Sequence, residues 1–250
     1  MSPRESTVAR ITSFWDQGGS DVRLAEGPAD LASLAPLAAT VVVIDVLSFS
    51  TCVSVVVSGG SIVLPLPWRD ERAGLAAAAA GAVLAGPRSL TEPSLSPPSL
   101  RSLPTGTTLA LPSPNGARAV LGAAEHAAVL VGCLRNATAT AEAVAGLSGP
   151  IVLAAAGERW ADDRLRPALE DRLGAGLLAR LLRERGLTLS AEARAAADVT
   201  TTTDLVVAVR DCASGRELSA RGFAADVDCA TDVDADERAA VLVDGLLVGR

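Results

Sequence analysis

The sequence predicts an α/β fold, in which short buried strands alternate with helices along the chain. Four segments share one order: an apolar, mostly β-branched run, a polar or glycine-containing turn, and an alanine-rich stretch. The four apolar runs lie at 40–46, 107–111, 128–132 and 151–155. Runs without polar alternation are typical of strands that are covered on both faces, and helices between them indicate a βα-type sheet.

Shorter signals predict the other elements. A run at 61–66 adds a strand, and 205–210 fits either a strand or a helix. Apolar spacing predicts helices over 69–84, 117–125, 138–147 and 166–184. The segment 86–106 holds five prolines and five serines, so we expect a loop that is either a functional flap or a mobile segment. We expect one domain over residues 1–250, or two intertwined lobes.

The amino-acid composition removes several reaction classes. All 22 basic residues are arginine, tyrosine is absent, and His126 is the single histidine. Without lysine the chain forms no Schiff base, no Walker A phosphate loop and no protein-kinase ion pair. A site that needs two imidazoles is excluded within one chain. Carboxylates, hydroxyls, amides, arginine and four cysteines remain available.

Net charge and cysteine usage predict the kind of partner and the cell compartment of the protein. A formal charge of -7 argues against nucleic acid or an anionic membrane as the main partner, because no basic stripe is available to replace counterions. The longest apolar stretch, 75–85, is too short to cross a bilayer. The cysteines lack C-x-x-C spacing and no secretory leader follows Met1, so we expect a cytoplasmic protein with reduced thiols. The sequence leaves a homodimer open.

Polar residues follow each of the four main predicted strands. In an open α/β sheet ligands bind at the carboxyl ends of the strands, where helix N-termini attract anions. Hydroxyls, amides and arginine suit phosphate oxygens, and carboxylates suit Mg²⁺. The residues at these ends are Asp45, Ser48, Ser50, Thr51, Asn115, Gly116, Arg118, Asn136 and Glu158.

Several of these residues also fit a purely structural role. Asp45 is either a functional carboxylate or a helix cap, and Asn136 either a ligand or a cap. Asn115-Gly116 is either part of a site or only a turn. Glu170 and Asp171 are adjacent on a predicted helix and point about 100° apart, so at least one of them is expected to be structural or to lie behind the metal ligands.

Taken in order, the strand-end motifs resemble the 2-phosphosulfolactate phosphatase family, a class of Mg²⁺-dependent acid phosphatases of coenzyme M biosynthesis. The matching pieces are V-V-I-D-V-L-S-F-S-T at 42–51, S-P-N-G-A-R at 113–118, V-L-V-G-C-L-R-N-A at 129–137, A-A-G-E at 155–158, L-E-D-R-L-G-A-G at 169–176 and S-G-R-E-L at 214–218. The last piece leads to Gly222 and Asp226. Short matches at 15–17 and 21–23 extend the resemblance toward the N-terminus.

The resemblance implies a three-layer α/β sheet with helices on both faces, Mg²⁺ as cofactor, and hydrolysis of 2-phospho-3-sulfolactate to 3-sulfolactate and phosphate. Asp45 and Glu158 are the implied catalytic residues, and Asp45 either helps to hold the metal or acts as a nucleophile. The implied metal ligands are Asp45, Glu158, Glu170 and Asp171. The resemblance places Asn115, Gly116, Arg118 and Asn136 at the substrate. The strand-end residues Ser48, Ser50 and Thr51 complete the expected substrate-binding set.

Three departures from the family pattern fall on residues expected to grip the substrate. The arginine of the family's first motif, D-V-L-R-A-T, is Ser48, and few other cations are expected to replace it. The family's G-E-R and D-L-G-N-S-P loop is represented only by 86–88 and 94–99, and the cysteine that commonly precedes Ala-Gly is Ala155. A phosphatase with a changed substrate and a non-catalytic anion-binding protein are therefore alternatives, and a lyase or transferase is a third.

Overall fold

A nine-stranded mixed sheet runs through the centre of the computed structural model, which describes residues 14–250. Its strands are β1 Val22–Glu26, β2 Thr40–Ile44, β3 Ile62–Leu66, β4 Val83–Leu84, β5 Thr108–Pro112, β6 Ala128–Gly132, β7 Ile151–Ala155, β10 Ala240–Val243 and β11 Leu246–Gly249. A separate short hairpin pairs β8 Glu158–Arg159 with β9 Leu165–Arg166.

Ten α-helices lie within the described residues. They are α1 Pro28–Leu34, α2 Phe49–Ser58, α3 Glu71–Ala79, α4 Gly116–Ala124, α5 Ala137–Ala145, α6 Leu169–Glu184, α7 Ala191–Thr202, α8 Leu205–Asp211, α9 Ala213–Ala220 and α10 Ala224–Ala230. Short 3-10 helices add Ala35–Leu37 and Pro97–Leu100. None of the helices in residues 14–250 has both the length and the apolar character that a bilayer span requires.

The strand order places two parallel groups side by side. The order is β1-β7-β2-β6-β10-β11-β3-β5-β4. Pairing is parallel within the first four strands and within the last three. The hairpin of β10 and β11 runs antiparallel to β6 and β3 and joins the two groups. The two groups therefore run in opposite directions, and the carboxyl ends of β1, β7, β2 and β6 lie along one edge of the sheet.

The core lies on both faces of this sheet. Along β2, Val42 and Ile44 pack into one apolar cluster, whereas Val41 and Val43 pack into the other. Alternate side chains of a strand point to opposite faces, so helices cover both sides. This arrangement confirms the predicted α/β fold with helices on both faces of a central sheet.

The main predicted strands agree with the structure, but several predicted boundaries were wrong. The helix predicted over 69–84 ends at Ala79, because Gly81 turns the chain with a φ of 60° and β4 follows. The helix predicted from 166 begins at Leu169, since Arg166 belongs to β9. The ambiguous segment 205–210 is helical.

The segment 86–106 is a loop with one 3-10 turn, anchored by its serines. Ser94 and Ser96 are fully buried. The Ser94 hydroxyl donates to the Ser89 carbonyl oxygen and accepts from the Ser89 amide. The predictions about a leader after Met1, and about residues 1–13 of the 1–250 domain, lie outside the described residues.

Candidate active site

A cavity of about 630 Å³ lies at the carboxyl ends of the strands. The chain that follows β2 supplies Asp45 and Ser48, and the chain after β5 supplies Ser113 and Asn115. Glu158 reaches the cavity just after β7. These side chains are distant in sequence. Asp45 and Glu158 follow neighbouring parallel strands, which end at one edge of the sheet, whereas Asn115 follows β5 of the oppositely directed group.

Asp45 is held in place by backbone groups. Its Oδ1 accepts a hydrogen bond from the Phe49 amide at 3.2 Å, and its own amide donates to Ser50 Oγ at 2.8 Å. The amide of Gly116 donates to Ser113 Oγ at 3.2 Å and acts to lower the pKa of the Asp45 carboxyl group. The side chain is nearly buried, although it lines the cavity. Asp45 is therefore a fixed carboxyl group with limited access to water.

Gly116 allows this close approach between two strand-end loops. A Cβ at Gly116 would lie 2.6 Å from Phe49 Cγ and 2.7 Å from Asp45 Oδ2. Both distances are shorter than van der Waals contact, so only glycine fits here. The predicted substrate-binding role of Gly116 has not been tested, and the structure shows it as a neighbour of Asp45.

Glu158 lines the same cavity as Asp45, and Asn115 orients its side chain. Glu158 Oε1 accepts from Asn115 Nδ2 at 3.0 Å, and its Oε2 accepts from the Arg159 amide at 3.1 Å. Arg159 Nε in turn donates to Asn115 Oδ1 at 3.3 Å. The structure therefore brings Asp45, Asn115 and Glu158 together, as the sequence predicted.

The two acidic groups influence each other electrostatically. Burial, together with the charges of Glu158 and Glu170, raises the pKa of Asp45 from its ordinary value of 3.8 to about 7, although the backbone amides of Phe49 and Gly116 act to lower it. A buried carboxylate beside another carboxylate favours either a proton or a cation. The acidic wall of the cavity is thus suited to a bound metal ion.

Glu170 and Asp171 lie behind the cavity rather than on its wall. Asp171 Oδ1 accepts from the Val46 amide at 2.7 Å and its Oδ2 accepts from the Gly157 amide at 2.9 Å. Burial, followed by the charges of Asp45 and Glu170, raises the pKa of Asp171 well above its ordinary value. Asp171 connects the loops after β2 and β7, and each of its carboxylate oxygens accepts a hydrogen bond from a backbone amide.

Glu170 points to different partners, as expected for adjacent residues of one helix. Its Oε2 accepts from Cys212 Sγ at 3.2 Å, and the side chain is almost fully buried. Neither Glu170 nor Asp171 reaches the cavity wall, so the structure does not place these two predicted ligands where a metal would meet substrate.

Three predicted substrate-binding residues support the loops instead of lining the cavity. Ser50 Oγ donates to the Val43 carbonyl oxygen, and Thr51 Oγ1 donates to the Val46 carbonyl oxygen. Asn136 Oδ1 accepts from the Cys133 amide at 2.9 Å. All three side chains are fully buried, so their polar groups are directed at the protein.

Arg118 was predicted to bind substrate oxygens, but it faces away from Asp45. It is exposed on α4 and lines a neighbouring cavity of about 310 Å³, whose walls are largely alanine, leucine and proline. An α-helix turns about 100° per residue. Arg118, the second residue after Gly116, therefore points to a different side of α4 from Gly116. Glu158 and Asn115 form the wall between the two cavities.

Four arginines that the sequence reasoning did not assign to the site line the larger cavity. They are Arg69, Arg88, Arg166 and Arg221. The expectation that few cations are available near Ser48 was therefore wrong. Glu217 lies 3.5 Å from both Arg166 and Arg221, and both burial and the charge of Arg88 lower the pKa of Arg69. Recognition of β4 would have indicated Arg88, since it follows a strand end.

The residues present fit Mg²⁺ with few protein ligands. In the described part of the chain no three His, Cys, Asp or Glu side chains converge to hold a metal ion. Mg²⁺ usually takes only one or two carboxylates and completes its octahedron with water and substrate phosphate. Asp45 and Glu158 supply two carboxylates on one wall, and their mutual repulsion would be relieved by a cation.

A mixed α/β sheet with paired carboxylates facing four arginines defines a site for a small, multiply charged anion. Comparison with family models matches residues 28–245 to 2-phosphosulpholactate phosphatase. The chain therefore belongs to the 2-phosphosulpholactate phosphatase family, a family of phosphoric monoester hydrolases. A search of curated proteins gave no significant match.

Proposed function

We propose that the protein is a Mg²⁺-dependent phosphatase that hydrolyses 2-phospho-3-sulfolactate to 3-sulfolactate and inorganic phosphate. The observation that carries the proposal is the polarity of the cavity, with Asp45 and Glu158 on one wall and four arginines around the rest. This substrate has three acidic groups: a phosphoryl, a carboxylate and a sulfonate. Arginine is the side chain best suited to several such oxygens, because its guanidinium donates in a planar fork.

Asp45 and Glu158 are the residues that would hold the metal. Mg²⁺ bound there would neutralise the negative charge that develops on the phosphoryl group. Asn115 keeps Glu158 in position through its side-chain amide, and the Phe49 backbone amide keeps Asp45 in position. These contacts fix both carboxylates before substrate arrives, which reduces the ordering needed in the reaction.

The arginines would orient the substrate. Arg166 and Arg221 share Glu217, so each keeps donors free for a ligand. Arg69 and Arg88 line the same cavity from other segments of the chain. We assign the carboxylate and sulfonate to Arg166 and Arg221, and the phosphoryl group to the region of Asp45 and Glu158. We also propose a cytoplasmic location, because all four cysteines are free thiols and buried.

Phosphate release from three esters tests the proposal. The substrates are 2-phospho-3-sulfolactate, phospholactate and an aryl phosphate, each with Mg²⁺ or with EDTA. We expect the fastest release from the sulfonated ester, slower release from phospholactate, and none with EDTA. Glu158→Gln should lower kcat/KM by about 100-fold or more, whereas Glu184→Gln, an exposed glutamate at the end of α6, should leave it unchanged.

The outcomes separate the alternatives. Release that persists in EDTA would exclude the metal requirement, and equal rates on all three esters would exclude the assigned substrate. Absence of release from every ester, with tight binding of inorganic phosphate, would instead support a non-catalytic anion-binding protein.

A further inference from the structure

Arg88 connects the cavity to a buried carboxylate. Its side chain lines the cavity and is mostly buried. Nη1 forms an ion pair with Asp226 Oδ2, and both Nη1 and Nη2 lie 3.4 Å from Ser48 Oγ. The guanidinium also lies 5.6 Å from the centre of the Phe223 ring. One edge of the guanidinium is therefore held by protein, and its remaining donors lie beside Ser48.

Asp226 is fully buried in α10 and is not part of the cavity wall. Its second oxygen, Oδ1, accepts from Ser96 Oγ at 2.5 Å. A buried carboxylate is costly unless it is paired and hydrogen-bonded, and Arg88 and Ser96 meet both needs. Both partners belong to the segment 86–106, so Asp226 fixes this segment against the cavity.

Ser48 leaves space for the Arg88 guanidinium. Ser48 lies in the same loop as Asp45, three residues further along the chain, and it lines the cavity. The family pattern has an arginine at this position. Here the small serine side chain sits under the guanidinium of Arg88, which enters from a different segment of the chain.

We propose that Arg88 binds the phosphoryl oxygens of the substrate beside Asp45, and that Asp226 is a positioning residue that acts only through Arg88. With serine at position 48, the cation beside this loop comes from the segment 86–106. The identification of the ligand as a phosphoryl group rests on the proposed phosphatase function, whereas the coupling between Asp226 and Arg88 does not.

A double-mutant cycle tests this assignment. The affinity for inorganic phosphate is measured by calorimetry, with Mg²⁺ present, for wild type, Arg88→Ala, Asp226→Asn and the double variant. Hydrogen bonds to charged groups support an expected loss of about 10- to 100-fold for Arg88→Ala and about 10-fold for Asp226→Asn. Asp226→Asn in the Arg88→Ala background should cause no further loss. Arg88→Lys should be intermediate, since lysine keeps the charge without the fork.

A second buried ion pair gives the matched control. Arg135 Nε and Asp236 Oδ2 lie 2.8 Å apart, and neither residue lines the cavity. Asp236→Asn removes a comparable buried charge, so it should lower thermal stability and leave phosphate affinity unchanged. Should Asp226→Asn fail to fold, Ser96→Ala removes one of the two bonds to the same carboxylate, and a several-fold loss of affinity is expected.

Two results would overturn the proposal. Phosphate affinity in Arg88→Ala equal to that of wild type would remove Arg88 from the site. Additive losses in the double variant would show that Asp226 does not act through Arg88. A wild type that binds phosphate, loses affinity as described and yet hydrolyses no ester would contradict the proposed function and leave this inference intact.

Discussion

Replacing Gly116 by alanine should displace Asp45 and slow catalysis by about 100-fold. The added Cβ would lie 2.6 Å from Phe49 Cγ and 2.7 Å from Asp45 Oδ2. Phe49 is fully buried and packs in the core, so its ring has little room to move. The carboxyl group of Asp45 is the neighbour most able to shift, and it would shift into the cavity.

The size of the effect follows from these contacts. Overpacking of a filled site costs about 1 to 3 kcal/mol, which for a chain of this length lowers Tm by about 2 to 12 °C. A displacement of about 1 Å in a reacting group costs about 100-fold in rate. The assays are thermal unfolding by circular dichroism and kcat for phosphate release with Mg²⁺.

Gly122→Ala provides the control within the same helix. A Cβ at Gly122 meets no heavy atom within 4 Å, so alanine should leave kcat unchanged and stabilise α4 by about 0.5 to 1 kcal/mol. If Gly116→Ala retains both the wild-type kcat and the wild-type Tm, the described packing of Asp45 against Gly116 is incorrect.

Three further predictions concern other charged residues. Asp171→Asn places an amide donor against a backbone N–H, so the free energy of unfolding measured in urea should fall by about 2 to 4 kcal/mol. The exposed control Asp198→Asn should lower it by almost nothing. Equal losses in the two variants would contradict the role of Asp171. The pKa of Asp45 rises in the fold from 3.8 to about 7, so its contribution to stability, up to about 4 kcal/mol, is complete below pH 3.8 and is lost as pH rises through 7. Metal-free Tm should therefore fall between about pH 4 and pH 7, and an equal fall in Asp45→Asn would refute this origin. Arg118→Ala should leave kcat/KM within about twofold, whereas Arg69→Ala should raise KM; a tenfold loss for Arg118→Ala would contradict its placement.

The sequence predicted the parallel strands well, because their apolar runs are continuous. Strands β2, β5, β6 and β7 are buried on both faces, and that environment leaves a strong pattern of β-branched residues. Strand β1 was missed because Arg23 and Glu26 interrupt its pattern. The hairpin of β10 and β11 was missed because its position depends on long-range pairing with β6 and β3, which no local pattern records.

The difference between local sequence patterns and long-range packing also separates the site residues that the sequence predicted from those it missed. Asp45 and Glu158 follow recognisable parallel strands, so a simple rule on strand ends places them together. Asn115 follows a strand of the oppositely directed group, and its hydrogen bond to Glu158 depends on tertiary packing. Arg88, Arg166 and Arg221 come from segments whose approach to the cavity is set by packing. Asp226 lies in a short helix, and no local pattern indicates that its partner is Arg88, 138 residues away.

The most direct test of the central claim is the rate of phosphate release from 2-phospho-3-sulfolactate by wild type and by Asp45→Asn, both with Mg²⁺. Asparagine keeps the shape of Asp45 and removes the charge that would hold the cation. We predict turnover by wild type and a loss of about 100-fold or more in the variant. Equal rates in the two proteins would place the chemistry outside this cavity and contradict the account.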